Sequence, residues 1–450
     1  MDNKQFSLIP DTDRYWLINA HVPVCLIEAD FEIAPQTREG LSLVDIEVNG
    51  GAISQIVYSS SRLPLSPSPN ADRIGDIPTI DLQGGQVWPC FVDMHAHLDK
   101  GHIWMRSPNP DGSFNGALEA GARDARQYWN AEDIYRRMEF GLKCSYAHGT
   151  KAIRTHIDCF GELINISLDV FQALQKKWAE RLILQPVSLA TADYFLTREG
   201  EKLADKIANM GGILGAVPFM NSDLDNQLDR LFSLAKERLL DLDLHTDENG
   251  NPNSVVLKEV AKTAIRYQFS GKIVCGHCCS LAVQTPEQVT ETLKLVKEAD
   301  ISIVSLPMCN LYLQSRRDNH TPSWRGVTLL HELKKQGIYV AVASDNCRDP
   351  FFGFGDHDVL EVFNMAVRIA HLDMPYGDWP CAVTKTPADL IGLPNIGRIR
   401  VGLPADLILF KGRNFSEFLS RSQHDRVVLR NGKVIDRTLP DYCELDGLLS

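Results

Sequence analysis

The stretch Phe91-Val92-Asp93-Met94-His95-Ala96-His97-Leu98-Asp99 follows on from an apolar run, Val87 to Val92, and carries two histidines with one residue between them. A β-strand repeats its side-chain direction every two residues, so both imidazoles leave such a strand on the same side. Two neutral imidazoles converging from one strand end are half of a first-row metal site. The alternative is a hydrogen-bonded pair on a sheet face. The choice turns on whether other strands end in the missing ligands.

Beyond Val87 the chain alternates apolar strands with amphipathic stretches of helix length. The expected strands are Val87–His95, Ala152–Ile157, Leu182–Leu189, Ile213–Pro218, Leu240–His245, Ile273–His277, Ile301–Leu306 and Tyr339–Ser344. Ala131–Ala147, Leu224–Arg238, Pro286–Ala299 and Val359–His371 are among the expected helices. Helices between apolar strands favour a parallel sheet, because parallel neighbours need crossover connections. Eight such units over roughly 300 residues match a closed (β/α)8 TIM barrel. A doubly wound open sheet fits less well, since no Gly-rich phosphate turn follows the first strand.

The ends of the chain read differently. From about Tyr15 to Ile80 short strands alternate with turns: Pro23–Ile27, Ser42–Val48 and Ile53–Val57, with Asn49-Gly50-Gly51 as a hairpin signal between the last two. Ser59 to Asp72, rich in Ser and Pro, reads as a loop. Ala405–Phe410, Arg426–Arg430 and Lys433–Ile435 are further short strands. The simplest architecture gives residues 1–86 plus 398–450 to a small β-sandwich domain, and residues 87–397 to the barrel.

Bulk properties narrow the function. The 450 residues are enough for one large domain plus a smaller one. A net charge of −12 with no basic stripe argues against a nucleic-acid binder. No apolar run is long enough to span a bilayer, and Met1–Phe6 lacks the build of a signal peptide. The 11 cysteines therefore read as reduced thiols of a cytoplasmic protein. Homo-oligomerisation stays open, with no patch to identify a contact.

Chemistry in a parallel barrel sits at the C-terminal strand ends. Those ends carry His95 and His97, then Thr155, His156 and Asp158, then Thr191, then His245, Asp247 and Glu248, then His277, and last Asp345 and Asn346. A chance scatter of 13 histidines would not fall this way. His95, His97, His245 and Asp345 form a metal shell that leaves a position for water, whose pKa a divalent cation lowers towards ~7. Glu248, three residues past His245, is placed to carry protons without being a ligand. His277 orients or stabilises the nucleophile, or is a further ligand. Asp345 binds metal and accepts a proton. Cys275, Cys278 and Cys279 lack a partner pair at finger spacing and read as packing thiols. His156 with Asp158 is either core hydrogen bonding or support beneath the metal. For Lys100 and His102 loop exposure is the default, and the mouth of the site the alternative.

At these residues the chain resembles the amidohydrolase superfamily, and within it the cytosine deaminases. The likeness rests on His95-Ala96-His97-Leu98-Asp99, Arg154-Thr155-His156-Ile157-Asp158, His245-Thr246-Asp247-Glu248, His277, and Asp345 with Asp349-Pro350. It extends to Gly402–Leu409 and Asn431-Gly432-Lys433-Val434, typical of the superfamily's small β domain. The resemblance implies one divalent metal, zinc or iron, on His95, His97, His245 and Asp345. It also implies Glu248 as proton shuttle and His277 as the group that positions the nucleophile. Dinuclear relatives usually carry a bridging lysine at the fourth strand end, and Ile213–Phe219 has none.

The departures concern the substrate. A gapless match puts Thr191 where cytosine deaminases present a glutamine, Asn346 where they have a second aspartate, and Phe351 where a tryptophan covers the ring. A hydroxyl cannot repeat the paired donor and acceptor of an amide. Asp99-Lys100 and Ala343–Asp349 also resemble the hydrolases that strip alkylamines from hydroxylated triazines, a branch that lacks the glutamate found here as Glu248. The expected activity is metal-dependent hydrolytic deamination of a small N-heterocycle, cytosine or a related pyrimidine, with Thr191, Asn346, Phe351 and Lys100 around the substrate. The alternative is removal of an (alkyl)amine from a triazine, pterin or creatinine-like ring. A silent binding protein on the same fold would be expected to lose ligands, and this chain keeps them all.

Overall fold

Main-chain hydrogen bonding changes partner in the middle of the apolar run that leads to the histidines. Cys90 N donates to Asp406 O, whereas Phe91 N donates to Gly149 O. The computed structural model, which describes residues 9–29, 34–59 and 77–448, accordingly has two strands where one was expected over Val87–His95. Val87–Pro89 runs antiparallel to Leu407–Leu409. Phe91–Ala96 is the first barrel strand, β1. Pro89 has no N–H to donate, which suits it to a strand's end.

The remaining barrel strands are β2 (Thr150–Asp158), β3 (Ile183–Leu189), β4 (Leu214–Ala216), β5 (Leu242–Thr246), β6 (Ile273–His277), β7 (Ile301–Ser305) and β8 (Val340–Val342). They lie in the order β1-β2-β3 and β4-β5-β6-β7-β8, with β2–β3 and every pair from β4 to β8 parallel. A Val187–Ile213 bridge joins the two sheets, and Ala96–Asp345 closes the ring. This is the (β/α)8 arrangement.

The helices between the barrel strands and after the last of them are α1 (Phe114–Tyr128), α2 (Ala131–His148), α3 (Leu163–Trp178), α4 (Arg198–Asn209), α5 (Leu224–Glu237), α6 (Val256–Tyr267), α7 (Pro286–Glu298), α8 (Pro307–Leu313), α9 (Leu330–Lys335) and α10 (Val359–Ala370), with two short ones, Lys385–Leu390 and Phe415–Phe418, further on. Their apolar stripes face inward: α5 buries Leu224, Leu228, Leu231, Phe232 and Ala235. α7 starts on a capping box between Thr285 and Gln288, with Pro286 in its first turn.

The closing seam is also where polar chemistry gathers. Asp93 of β1 accepts hydrogen bonds from Ser344 N (3.1 Å) and Ser344 Oγ (2.5 Å). Asp345 N donates to His95 O at 2.8 Å, and His97 N to Asp345 O at 3.3 Å. The first and last strands therefore fix the backbones of His95, His97 and Asp345 against one another.

The described residues of Met1–Val92, Tyr146–Lys151 and His371–Leu439 form one compact unit, and those of Asp93–Ser145, Ala152–Ala370 and Pro440–Ser450 a second. In the first, Arg14–Pro23, Leu41–Asn49 and Ala52–Tyr58 pair antiparallel over a core that includes Leu17, Val44, Ile46 and Leu407. The Gly50-Gly51 turn has φ of +60° and +81°, which glycine adopts without strain. The strand expected at Pro23–Ile27 is instead a 3-10 turn, Val24–Leu26, before a two-residue strand, Ile27–Glu28. Val24 N still bonds to Gly40 O, the last rung of that ladder, and the chain then turns as Ile27 N donates back to Val24 O. Met1–Phe6 and most of the Ser59–Asp72 loop lie outside the described residues. Among the described residues no helix is long and apolar enough to cross a membrane.

Candidate active site

His95, in β1, points into the barrel and is fully buried. Its Nε2 lies 3.2 Å from His245 Nε2, and His245 Nε2 lies 3.3 Å from His97 Nε2. Asp345 Oδ1 is 3.1 Å from His97 Nε2 and 3.7 Å from His95 Nε2. Gly276 makes the approach possible, since a Cβ there would stand 3.0 Å from His95 Cε1. Asp345 and His277 hold φ of +65° and +67°, a region that non-glycine residues enter only when the surroundings over-determine them.

Electrostatics prepare these groups to ligate a cation. Burial, then neighbouring cationic or imidazole groups, hold His95, His97 and His245 well below the ordinary histidine value of 6.5. Neutral imidazole is the ligating form. Neither oxygen of Asp345 accepts a hydrogen bond from an N–H or O–H group, although the side chain is buried. Burial, with repulsion from Asp349, pushes its carboxyl up to about 8. A buried carboxylate with no such donor is costly unless a cation pairs with it. The donor set fits a divalent metal: one ligand atom from each of His95, His97, His156 and His245 lies within 4.8 Å of the others, and so does one from each of His95, His277 and Asp345, a candidate His-rich metal site.

His156, left between two roles by the sequence, lies beside His95 and is bonded to Asp243 rather than to Asp158, which pairs with Lys100. Its ring lies 3.9 Å from that of His95, and its Nε2 is 3.2 Å from Asp243 Oδ1. Asp243 also accepts from Arg154 Nη1 at 2.9 Å. Asp247 does not face the cluster. Its carboxylate accepts from Ser254 Oγ, Val256 N and Leu257 N, at the start of α6. Cys275, Cys278 and Cys279 are buried and unbridged, with Cys278 Sγ 3.1 Å from Thr246 Oγ1.

Glu248 Oε1 lies 3.3 Å from His277 Nδ1, and both contact a residue that sequence reasoning missed. Asn310 Nδ2, from α8, is 3.0 Å from His277 Nδ1 and 3.3 Å from Glu248 Oε1. With Asn310 Nδ2 as the donor, Nδ1 accepts and the neutral ring carries its proton on Nε2. Burial holds His277 down to about 3, so it is neutral at physiological pH. Burial, then the charge of Asp345, raises Glu248 well above 4.5, with Lys100 opposing. The sequence gives little sign of Asn310, because it lies one helical turn beyond the end of β7.

A cavity of about 470 Å³ opens over the cluster. Of the residues expected at the site, His97, His245, Glu248, His277, Asp345, Thr191, Asn346, Phe351 and Lys100 line it, while His95 does not. Lys100 is buried beside Asp158 (Nζ–Oδ1 2.7 Å) and lies 5.2 Å from the Phe351 ring centroid. His102, for which exposure was the default, is also buried and faces elsewhere, because it pairs with His357. Asn346 Nδ2 donates to Asp349 Oδ2 at 2.7 Å, so that end of its amide is already engaged. The walls include Phe114, Trp129, Phe160 and Phe219, with Phe114 edge-on to Phe351 at 5.8 Å. α1 supplies part of this wall, and the sequence reading did not identify it.

An amidohydrolase family model matches residues 78–135 and 131–436. The chain belongs to the amidohydrolase family. Amidohydrolases are hydrolases, and the fold and the His-rich cluster agree with that membership. A pterin deaminase of Rhizobium rhizogenes is 48% identical over 445 residues, covering 99% of both chains. N-isopropylammelide isopropyl amidohydrolase of a Pseudomonas species is 25% identical, over 79% of this chain and 87% of that one. Among solved structures, 5-methylcytosine deaminase from Klebsiella pneumoniae liganded with phosphonocytosine superposes with a TM-score of 0.77 at 23% identity, over 93% of this chain and 97% of that one.

Proposed function

We propose that this amidohydrolase deaminates a pterin ring by hydrolysis, replacing the 2-amino group with oxygen and releasing ammonia. The observation that carries this reading is the full-length likeness to a pterin deaminase. It supports the pterin option of the sequence reading over cytosine. The cavity, about 470 Å³, falls within the range of pockets for drug-sized ligands, about 300–1,000 Å³. Its aromatic walls suit a flat bicyclic ring.

His95, His97, His245 and Asp345 are the proposed ligands of one divalent cation, zinc or iron. Bound there, the cation supplies Lewis acidity and brings the ionisation of water towards neutral pH. A second cation within this catalytic cluster is not proposed, because β4, Leu214–Ala216, offers no lysine and Lys100 is paired with Asp158. Asp345 takes a proton from the attacking water. Glu248, kept protonated by burial, gives a proton to the ring nitrogen beside the amine-bearing carbon; the proton taken by Asp345 goes to the departing ammonia, and the proton left on the attacking oxygen restores Glu248 as the carbonyl forms. His277 directs its Nε2–H at the oxygen as the carbon becomes tetrahedral. Phe351 and Phe114 flank the ring, while Lys100, Thr191 and Asn346 meet its polar edge. The unit of Met1–Val92, Tyr146–Lys151 and His371–Leu439 is proposed as a separate small β domain, with Pro440–Ser450 grouping with the barrel instead.

The test is a comparison of zinc- and iron-loaded protein on pterin, cytosine, 5-methylcytosine, isoguanine, creatinine and N-isopropylammelide, with ammonia and alkylamine measured separately. Pterin is expected to give the highest kcat/KM, with ammonia as the amine product. Preference for cytosine, or release of isopropylamine ahead of ammonia, would overturn the assignment.

A further inference from the structure

A second group of metal-ligating side chains lies in the barrel unit, and none of them lines the cavity. His102 Nε2 and His357 Nε2 are 3.1 Å apart, with ring centroids 5.2 Å apart. One ligand atom from each of His102, Cys347 and His357 falls within 4.8 Å of the others. All three residues are at most 4% exposed. The close approach of two Nε2 atoms repeats the 3.2 Å and 3.3 Å contacts among His95, His97 and His245.

A simple imidazole–imidazole hydrogen bond accounts for two of these residues. It does not account for the thiol or for how the chain is shaped around the three. His102 and His357 both sit in the left-handed region, at φ +65° and +54°, where non-glycine residues are uncommon. His102 N donates to Cys347 O at 3.1 Å, which fixes the two loops against each other. On α2, Gly141 leaves the room that His357 occupies, since a Cβ there would stand 2.9 Å from His357 Nε2. Arg137 and Arg348 add positive charge near His102, and Asp356 adds negative charge near Cys347. Cys144, also on α2, interacts with Cys347 and with Asp356.

We propose that His102, Cys347 and His357 form a structural zinc site, separate from the candidate active site. Two imidazoles and a thiolate are a zinc-type donor set and a poor one for magnesium or calcium, which prefer oxygen. Binding forms one Zn–S and two Zn–N bonds, the Cys347 Sγ–H proton passes to solvent, and no oxidation state changes. The consequence is mechanical. Cys347 lies two residues beyond Asp345 on the segment that also carries Asn346 and Phe351, so the ion would brace that segment against the loop holding Lys100. The inference does not depend on which substrate the active site takes.

The experiment strips the full chain with chelator, reloads it with zinc, desalts it and measures metal per chain. Exposed Cys443 is first replaced by Ser to remove adventitious thiolate binding. Two zinc ions per chain are expected in this background, and one in Cys347→Ser or His357→Gln. Cobalt(II) supplies an independent reading, because thiolate-to-cobalt charge-transfer absorption in the near ultraviolet cannot arise from a shell of three histidines and an aspartate. That band should persist in His245→Ala and vanish in Cys347→Ser. A single ion per chain before mutation, or a band unchanged by Cys347→Ser, would overturn the proposal.

Discussion

Replacing Glu248 by Gln isolates proton transfer from every other contribution of that side chain. Gln has nearly the same shape, and its amide oxygen can still accept from Asn310 Nδ2, which lies 3.3 Å from Glu248 Oε1. The main-chain anchor, Gln314 Nε2 to Glu248 O at 3.2 Å, does not involve the side chain. Ligand binding and metal content should therefore stay close to those of the parent. What is lost is an acid that burial keeps protonated. General acid–base catalysis contributes typically ~10²–10⁴-fold, or about 2.7–5.4 kcal/mol of barrier. The expected result is a kcat lower by that factor, with KM changed little. The parent's rate should also fall on the alkaline side, as Glu248 loses its proton, and the variant should lack that limb. Ammonia release across a pH series, with metal measured on the same samples, tests both points. A Glu248→Gln protein that holds metal and turns over within a few-fold of the parent would refute the role.

Asn310→Ala removes the donor shared by His277 and Glu248; kcat should fall about tenfold, from a net hydrogen-bond contribution of roughly 1–1.5 kcal/mol, with metal content unchanged by elemental analysis. Gly276→Ala puts a methyl 3.0 Å from His95 Cε1, so metal should dissociate faster under competing chelator in a timed release assay. Asp345→Asn tests the cost of the buried carboxyl in chelated protein. The folded-state pKa of about 8 lies above the ordinary 3.8, so the stability contributed by the protonated carboxyl is complete below the unfolded value and is lost as pH rises through the folded one. The variant should gain melting temperature over the parent progressively from pH 4 to pH 8, and divalent cation should erase that gain in thermal scans.

The barrel was legible because each strand is a short apolar run followed by a helix-period segment, a signal that survives without tertiary information. The gathering of His95, His97, His245 and Asp345 was legible for a related reason: these residues stand where apolar runs stop. Contacts made only on closure were not. The division of the Val87–His95 run depends on Asp406 and Gly149, both distant in sequence, accepting from adjacent residues. Asn310 is one polar residue on a short helix, and its importance comes from two partners, 33 and 62 residues away. His102 looks like a loop residue until His357, 255 positions later, packs against it.

The most direct test of the account is stoichiometry with pterin as substrate. Protein freed of metal by chelation should release no ammonia. After reloading with zinc or iron it should yield one ammonia for each 2,4-dioxopteridine formed, followed together by coupled assay and chromatography. Undiminished turnover by demonstrably metal-free protein, or consumption of pterin without matching ammonia, would contradict the central claim.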